Sequence, residues 1–553
     1  MFRFIPFSRS LLLAATGALL VGNAFAGPEI DPDQLEAEPY PNGRFTGVTA
    51  DPTAAMGTAP YTPLLQKTFL GVNFDDNAEE NDGFRFIPPD PIGAVGHSRA
   101  IAVVNTMIES RTKGGKMKWR SSLAEFFAPL EPKTFTFDPK IVYDQYEDRF
   151  VVVTLERVNA GTSFADPGNE SRILLAVSKS GNPQTNTEAD WYYLSIDAKL
   201  TNIVGIGLDF WADYPGFEVD EEAIYVTANY FVHPGDFGGF GGSYVWIVAK
   251  DPFYSGGASA ANVYYPAGAT GLFDLTQMPA QVFGDGGIGG AGSTIGTFLV
   301  GYSGLTFGGP GGVEAAQVIT IDDPLGANGG PFFSGEFVVI GDIENVGGGC
   351  SFPALSDAPQ AGTDALIEVN DRRALDAVWR DDGLWMVMSV DGTGPCDPAT
   401  AGTTKAHWVA MDTSAGSGAI VQVDGGTILG DDISSSDSTT FFPAIAVNSY
   451  GDAAVGFSAS SPDIYAGAFA AKRSAGDPAG TIGPTQTVKA GDDYYLRTFG
   501  GTRNRWGDYS GIALDPSNEK FFWVFNMYAA PRAEEPSSSG EDGRWGTAWG
   551  RVK

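Results

Sequence analysis

Two copies of one six-residue pattern carry the side chains best suited to chemistry. Residues 211–216 read WADYPG and residues 506–511 read WGDYSG, so each copy places an aspartate directly before a tyrosine. Two carboxylates that face each other can bind Ca²⁺ through oxygen ligands, or act as the acid and base of glycoside cleavage. The candidate site that this pattern predicts comprises Asp213, Tyr214, Arg505, Asp508 and Tyr509.

Calcium is the cofactor that such a site would hold, as a structural ion with Asp213 and Asp508 among its ligands. A structural alternative stays open, because each aspartate can cap its own loop through an Asx-turn while its aromatic neighbours pack within the fold. A second acidic run lacks the strict ligand spacing of an EF-hand, which favours a solvated loop. That run comprises Asp75, Asp76, Glu79, Glu80 and Asp82.

Complete catalytic motifs are missing from the chain. It has no G-x-S-x-G elbow, HExxH sequence or P-loop, so serine-triad hydrolysis, zinc proteolysis and nucleotide chemistry lack support. The three histidines are His97, His233 and His407. Only His233 is expected in a surface loop, where it could serve as a base, although a structural role is the alternative for all three.

The N-terminus has the parts of a secretory signal peptide, predicted at residues 1–26. Arg3 and Arg9 give a positive start, Leu11 to Val21 is apolar, and residues 24–26 read AFA, a small-x-small cleavage site. No later stretch has the roughly 18 consecutive apolar residues of a transmembrane helix. The sequence therefore predicts an exported protein, extracellular or periplasmic, without a transmembrane segment.

Composition narrows the possible partners. The formal net charge is −33, which repels phosphate backbones and makes nucleic acid a poor partner. The two cysteines, Cys350 and Cys396, are predicted to form a disulfide because an exported chain meets an oxidising environment. Neither cysteine lies in a CxxC pair, so a zinc or redox role has no support.

A repeated hairpin organises the chain. Seven six-residue segments align without gaps, five of them beginning with proline, and each has an apolar fifth residue. A turn and a longer run of β-branched and aromatic residues follow, which predicts a short strand, a turn and a second strand. The segments begin at Pro91, Pro139, Pro215, Pro279, Leu375, Pro443 and Ser510.

This repeat predicts an all-β fold, a single β-propeller of about seven blades in which each segment lines the central channel. Residues 27–70 have few strand signals and are predicted to form an extended arm before a propeller domain at 71–553. The glycine-rich stretch Gly308 to Gly349 is interpreted as an elaborated loop. Trp545 to Val552 is predicted to be a strand that helps to close the ring.

Several stretches resemble a family of secreted bacterial proteins described as sialidase-like β-propellers. They include PPDPIGAVG at 88–96, FDPKIVYDQYEDRFVVV at 137–153 and RWGDYSGIALDP at 505–516. The resemblance covers most of the chain from residue 88 onwards and implies the propeller, not a reaction. The chain has no Asp-box of the form S-x-D-x-G-x-x-W. The arginines that could form a sialidase triad are Arg373, Arg497 and Arg505.

Two functions remain open at this stage. The first is a binding or surface-interaction module for carbohydrate, such as a polysaccharide, or for another extracellular ligand. The alternative is a carbohydrate-active enzyme, a glycoside hydrolase or polysaccharide lyase, with its site at the mouth of the channel. The enzyme requires arginine, tyrosine and carboxylate side chains to converge in one open pocket, whereas a channel plugged by aromatic residues counts against it. The oligomeric state is not predicted.

Overall fold

A computed structural model describes the larger part of the chain. The described residues are 36–39, 65–203, 205, 207–234, 239–284, 287–290, 292–304, 306–307, 313–341, 343–344, 355–391, 402–533 and 541–553. The predicted signal peptide at 1–26 and the predicted disulfide between Cys350 and Cys396 lie outside the described residues, so both stay predictions. Among the described residues, no helix is long and apolar enough to cross a membrane.

The described N-terminal part contributes three strands and one helix. Strand β1 (Glu36–Pro39) pairs antiparallel with β3 (Phe84–Ile87), and between them lie β2 (Leu65–Asn73) and α1 (Phe74–Glu80). The side chain of Asn73 accepts hydrogen bonds from the first turn of α1, and the carboxylate of Asp76 accepts one from the Asn73 backbone. This capping box explains why a helix begins directly where β2 ends.

The first three blades follow in chain order. Blade 1 contains β4–β7, with bounds Ile92–Val95, Arg99–Val104, Met107–Thr112 and Met117–Ser122. Blade 2 contains β8–β11, with bounds Phe137–Asp144, Arg149–Val158, Glu170–Ser178 and Trp191–Asp197. Blade 3 contains β12–β16, with bounds Leu200–Thr201, Asp209–Val219, Ala223–Val232, Phe240–Ala249 and Ala261–Tyr264. Short helices join these strands: α2 (Leu123–Phe126), a 3₁₀ turn (Ala128–Leu130), α3 (Lys250–Tyr254) and α4 (Pro266–Thr270).

Four further blades complete the ring. Blade 4 contains β17 and β19–β22, with bounds Gln277–Pro279, Ile295–Gly301, Thr306–Phe307, Val313–Asp322 and Phe332–Gly341. Blade 5 contains β18 and β23–β26, with bounds Gln281–Phe283, Ala374–Arg380, Gly383–Asp391, Thr404–Asp412 and Val421–Ile428. Blade 6 contains β27–β30, with bounds Thr439–Val447, Ala453–Ser461, Ile464–Arg473 and Gln486–Lys489. Blade 7 contains β31–β33, with bounds Gly511–Leu514, Phe522–Ala530 and Arg544–Val552.

The seven-bladed propeller predicted from the repeat is confirmed. Each blade is a mainly antiparallel sheet, and six of the seven aligned segments provide the inner strand of their blade's hairpin, whereas the segment at Pro279 divides between blades 4 and 5. Apolar clusters form where neighbouring blades face each other. One cluster, for example, packs Ile101 and Ile108 of blade 1 against Phe150 and Leu174 of blade 2. Burial on both faces of every sheet compensates for the marginal stability of single hairpins.

The ring closes through a strand from the other end of the chain. Strand β33 pairs with β32 on one side and with β2 on the other, so β2 is the outermost strand of blade 7. The predicted boundary between an arm at 27–70 and the propeller at 71–553 therefore falls inside β2, which begins at Leu65. The Thr547 hydroxyl donates a hydrogen bond of 2.6 Å to the backbone carbonyl of Val72 across this junction.

Replacing Thr547 by valine is expected to lower the free energy of unfolding by about 1–2 kcal/mol, because the Val72 carbonyl loses its buried donor. Valine keeps the shape and the β-branching, so the change isolates the hydrogen bond. Chemical denaturation of the purified protein measures the effect. Thr68→Val, at an exposed position of the same β2 strand, is the matched control and is expected to change stability by less than about 0.5 kcal/mol. Equal effects of the two variants would contradict this view of the junction.

The interpretation of Gly308 to Gly349 as one elaborated loop is wrong. Strands β21 and β22 lie within this stretch and pair with each other from Glu314 to Gly341. The prediction weighed the many glycines and overlooked two runs of strand-forming residues between them, VEAAQVITID and FFSGEFVVIG. These runs supply the outer half of blade 4.

Candidate functional site

A recurring backbone distortion positions the side chains at one end of the channel. Asp90, Asp138, Tyr214 and Phe442 each precede the proline that begins a repeat segment, and all four adopt φ between 45 and 50°. For residues other than glycine this left-handed region is rarely occupied, and it costs energy. In β8, β13 and β27 it coincides with a shift in strand register. Such bulges redirect the side chain that they carry.

The distortion brings carboxylates from separate blades into one cluster with the two WxDYxG segments. The backbone N–H of Asp508 donates to Asp90 Oδ1 at 2.7 Å, and that of Tyr214 donates to Asp138 Oδ2 at 3.1 Å. Asn105 links Asp90 and Asp138, because its Nδ2 donates to Asp90 Oδ2 at 2.7 Å and its Oδ1 accepts from the Asp138 backbone at 2.8 Å. These bonds tie blades 1, 2, 3 and 7 together at the axis.

Arg505 supplies the closest positive charge to this cluster. Its Nη2 donates to Asp508 Oδ1 at 2.6 Å, and Asn370 Nδ2 donates to the same oxygen. Both charged side chains are almost fully buried. The Asp508 carboxylate is therefore held by side chains around it, and it does not cap its own loop as the Asx-turn alternative supposed.

Asp213 has a different environment. Its side chain is 1% exposed, and neither carboxylate oxygen has a hydrogen-bond partner of normal geometry within the described part of the chain. Burial raises its pKa well above the usual value, and the nearby Asp138 and Asp508 raise it further. A protonated Asp213 is the physical consequence, since an uncompensated buried charge is costly.

The carboxyl groups of the cluster differ strongly in acidity. Burial raises the pKa of Asp138 to about 7, with a further contribution from the charge of Asp508. Burial, Asp508 and Asp138 together raise the pKa of Asp90 well above its usual value. Burial also acts on Asp508, but Arg505 outweighs it and lowers that pKa. One carboxyl group with a lowered pKa thus lies beside three with raised pKa values, which is the separation that acid–base chemistry uses.

Two tyrosines separate this cluster from the rest of the channel. The rings of Tyr214 and Tyr509 meet edge to face with centroids 6.0 Å apart. The Lys140 Nζ lies 4.4 Å from the centroid of the Tyr509 ring, and Arg373 Cζ lies 4.4 Å from that of Tyr214. All four side chains are at most 7% exposed. Arginine, tyrosine and carboxylate groups therefore converge as the enzyme hypothesis requires, but in a sealed layer.

On the other side of the tyrosines lies a cavity of about 210 Å³, here called the axial cavity. The inner strands of blades 1, 2, 3, 4, 5 and 7 line it. Its rim includes the hairpin-turn residues His97, Gln145, Pro516 and Glu519, which are exposed or half-buried. The axial cavity is the open concave feature that this arrangement offers to a ligand.

Besides Glu519 at the rim, the charged residues that line the axial cavity are Lys140, Glu218 and Asp376. Burial raises the pKa of Glu218 well above its usual value and that of Asp376 to about 6. Burial lowers the pKa of Lys140, although Asp376 and Glu218 oppose that shift. The cavity therefore combines two carboxyl groups that hold their protons more tightly than usual with an amine that releases its proton more easily than a surface lysine does.

These three residues were not singled out from the sequence, although a signal was present. Within the seven aligned segments they are the charged residues that precede the turn position, in PKIVYD, PGFEVD and LDAVWR. A charge at a position that is otherwise apolar points to a functional group or to a buried pair. Asp90 and Asp138 carried a weaker signal, as acidic residues directly before a repeat proline.

The other candidate residues lie away from the axis. The acidic run is a helix and not the solvated loop that was expected: α1 carries Asp76, Glu79 and Glu80, and Arg120 forms ion pairs with all three. Arg544 pairs with Asp75 at 2.7 Å. Within the described residues, no group of three or more His, Cys, Asp or Glu side chains has the geometry of a metal site. The calcium prediction is not tested by this observation.

His233 does not lie at the surface as predicted. Its side chain is fully buried, and burial lowers its pKa to about 4. His407 is buried in β25, with a pKa that burial lowers to about 4, and His97 is exposed beside Ser517.

Of the three arginines considered for a sialidase triad, Arg373 and Arg505 both lower the pKa of Asp508. Arg497 instead donates to the Gly543 carbonyl at 2.8 Å.

Comparisons with known proteins identify no relative by sequence. No protein-family model matches the chain, and no curated protein matches it. Among solved structures, a Hadza microbial sialidase aligns over 85% of this chain and 75% of its own, with 13% identity and a TM-score of 0.36. An apocarotenoid oxygenase from Synechocystis aligns over 70% of both chains, with 11% identity and a TM-score of 0.35.

A third solved structure is an α-L-arabinofuranosidase from Fusarium graminearum. It aligns over 83% of this chain and 93% of its own, with 8% identity and a TM-score of 0.33. Two of these proteins are glycosidases and one is an oxygenase, and similarity at this level transfers neither activity to the present chain. The functional argument therefore depends on the axial cavity and the sealed cluster themselves.

Proposed function

We propose that the protein is an exported binding module that takes a small hydroxyl-rich ligand, of the size of one sugar ring, in the axial cavity. The observation that carries this proposal is the division of the channel. Its open part presents Lys140, Glu218 and Asp376, whereas the candidate acid–base cluster is closed off by Tyr214 and Tyr509. Carboxyl, amine and amide groups around a concave space suit a ligand with many hydroxyls.

The size of the axial cavity sets the size of the ligand. At about 210 Å³ it falls below the roughly 300–1,000 Å³ of pockets that enclose drug-sized molecules. A single monosaccharide, or the terminal residue of a longer glycan, is therefore the expected occupant. Glu218 Oε2 has no hydrogen-bond partner in the described structure, so a ligand hydroxyl would satisfy it.

Replacing Glu218 by methionine is expected to weaken binding of the best monosaccharide ligand by about tenfold, the equivalent of one lost hydrogen bond. Methionine removes an unpaired buried oxygen, so the variant should be at least as stable as the parent protein. Calorimetric titration with a panel of neutral, acidic and amino sugars identifies the ligand and measures the effect. Asp213→Asn, beneath the tyrosines, is the control and should bind normally. If Asp213→Asn loses binding and Glu218→Met does not, the ligand binds in the cluster and not in the axial cavity.

A carbohydrate-active enzyme is the second candidate. The observation that favours it is the contrast between the raised pKa of Asp138 and the lowered pKa of Asp508. This function requires Tyr214 and Tyr509 to move aside for the substrate. Incubation with acidic and neutral polysaccharides, followed by assays for reducing ends and unsaturated products, tests it. If the protein releases products and Asp508→Asn abolishes that release, the enzyme replaces the binding module as the proposed function. If the protein retains polysaccharide without cleaving it, the binding module is supported.

A further inference from the structure

Lys140 differs from the other buried lysines of the described chain. Lys250 is 1% exposed and pairs with Asp144 at 2.6 Å, and Lys405 is 3% exposed and pairs with Asp437 at 2.6 Å. Lys140 is 7% exposed, yet no carboxylate oxygen of the described residues lies within 4.0 Å of its Nζ. A buried ammonium without an ion pair is costly, so a lysine kept in this state calls for a functional explanation.

The amine of Lys140 contacts a sulfur atom and two aromatic rings. The Nζ lies 3.8 Å from Met278 Sδ, 4.4 Å from the centroid of the Tyr509 ring and 5.8 Å from that of Tyr214. The sulfur and the rings support the amine from one side, and none of them is a strong hydrogen-bond acceptor. Lys140 also lines the axial cavity, so a ligand can reach it.

We propose that Lys140 is a covalent carbonyl-binding residue, whose Nζ condenses with the aldehyde of a small hydroxyaldehyde or an open-chain reducing sugar in the axial cavity. This inference rests on the proposed function, because it uses the same cavity and the same ligand class. It goes further, because it names the ligand's reactive group and the bond that holds it.

The condensation balances with the groups present. The ammonium of Lys140 first releases a proton through a cavity water to the carboxylate of Asp376, and the free amine attacks the carbonyl carbon to form a C–N bond. The nitrogen then passes a second proton to the former carbonyl oxygen, which takes another from Glu218 and leaves as water when the C–O bond breaks. The proton held by Asp376 returns to Glu218. The net reaction converts one ammonium and one aldehyde into one iminium ion and one water, with no external oxidant or reductant.

The electrostatics of the axial cavity support each proton transfer. Burial lowers the pKa of Lys140, so the amine loses its proton more readily than an exposed lysine does. The pKa of Asp376, about 6, lets it accept a proton near neutrality, and the raised pKa of Glu218 keeps a proton ready for the departing oxygen. Lys140, Asp376 and Glu218 come from blades 2, 5 and 3, so the closed ring is needed to assemble them.

Reductive trapping tests this inference. The full-length protein is incubated at pH 7.5 with D-glyceraldehyde and cyanoborohydride, and peptide mapping by mass spectrometry measures the adduct at each lysine. We expect Lys140 to be modified several-fold faster than exposed Lys133, because the cavity concentrates the aldehyde beside it and burial favours its free amine. Lys250, buried but ion-paired, should remain unmodified. Lys140→Arg should lose the fast adduct while keeping the positive charge beside Tyr509.

The outcomes separate this inference from the proposed function. Modification of Lys140 no faster than that of Lys133 in the folded protein would overturn the covalent inference. If calorimetry without the reductant still detected sugar binding, the proposed function would stand alone. Fast trapping at Lys140 without measurable sugar binding would instead support the inference and reject the wider ligand class. A circular dichroism spectrum matching that of the parent confirms that Lys140→Arg is folded in these assays.

Discussion

Replacing Arg505 by methionine is expected to lower the free energy of unfolding by about 3–5 kcal/mol at pH 7.5. The guanidinium donates to Asp508 at 2.6 Å, and both side chains are at most 7% exposed. Without Arg505, the Asp508 carboxylate would remain buried beside Asp90, Asp138 and Asp213, with its strongest partner lost. Methionine fills most of the vacated volume, so the loss measures charge compensation more than packing. Denaturant titration of the purified protein provides the value.

A double variant shows whether the charge is the cause. Arg505→Met combined with Asp508→Asn removes the uncompensated carboxylate, so it should be more stable than Arg505→Met by at least about 1 kcal/mol. Lys133→Met is the control for losing an ion pair at the surface, where Lys133 meets Glu170, and should cost less than about 1 kcal/mol. A double variant less stable than Arg505→Met would show that packing, and not charge, dominates at this position.

The fold followed from the sequence because the signal is local and occurs seven times. Each hairpin has its proline, apolar strand and turn within about a dozen residues, and six of the seven segments behave alike. The segment at Pro279 is the exception: β17 ends there in blade 4, and β18 continues from Gln281 alongside β23 of blade 5. Contacts between two blades determine that crossover, and a local sequence pattern does not predict such contacts.

The closing strand shows the same limit over a longer distance. The nine residues of β2 alternate between half-buried and exposed at their start, as an outer strand should. Their partner is β33, at the opposite end of the chain. Hydrophobic alternation can indicate that a segment is a strand, but it does not identify the sheet that the strand joins.

The sequence predicted which residues form the candidate site, but it did not predict that they are buried. The repeated WxDYxG pattern led to five residues, and the structure brings Tyr214, Arg505, Asp508 and Tyr509 into direct contact, with Asp213 close enough to influence its neighbours. Their burial arises from contacts among several blades, which no local pattern records. The sequence also gave no reason to rank Asp138 above the other acidic residues, because its pKa arises from neighbours in blades 3 and 7.

The sealed cluster and the axial cavity meet at Tyr214 and Tyr509, so their electrostatics are connected. The Lys140 amine rests on these rings from the cavity side, and Asp138 and Asp90 act on it from the cluster side. When Asp90 or Asp138 gains a proton, it no longer stabilises the positive charge on Lys140, and the pKa of Lys140 falls. Substitutions in the cluster should change the acidity of Lys140 even though they do not line the axial cavity.

Asp138→Asn is expected to make the protein more stable at pH 8, and this gain should shrink steadily as the pH falls towards 4. The folded-state pKa of Asp138, about 7, exceeds the ordinary value of 3.8, so the folded protein holds this proton more tightly than the unfolded chain does. The corresponding stability is fully present below about pH 4 and is lost as the pH rises through about 7. Over that window the loss is on the order of 2–4 kcal/mol.

Asparagine suits this position for two further reasons. It tolerates the left-handed backbone at φ 48°, and its side-chain oxygen can accept the hydrogen bond from the Tyr214 backbone. Thermal and denaturant unfolding at pH 5, 6, 7 and 8 should therefore show a flatter pH profile for Asp138→Asn than for the parent. Asp82→Asn is the matched control, since Asp82 also has a left-handed backbone, at φ 53°, but is exposed. Parallel pH profiles of the parent and Asp138→Asn would show that Asp138 titrates normally, and the division of acidity within the cluster would then have to lie with Asp90 and Asp213.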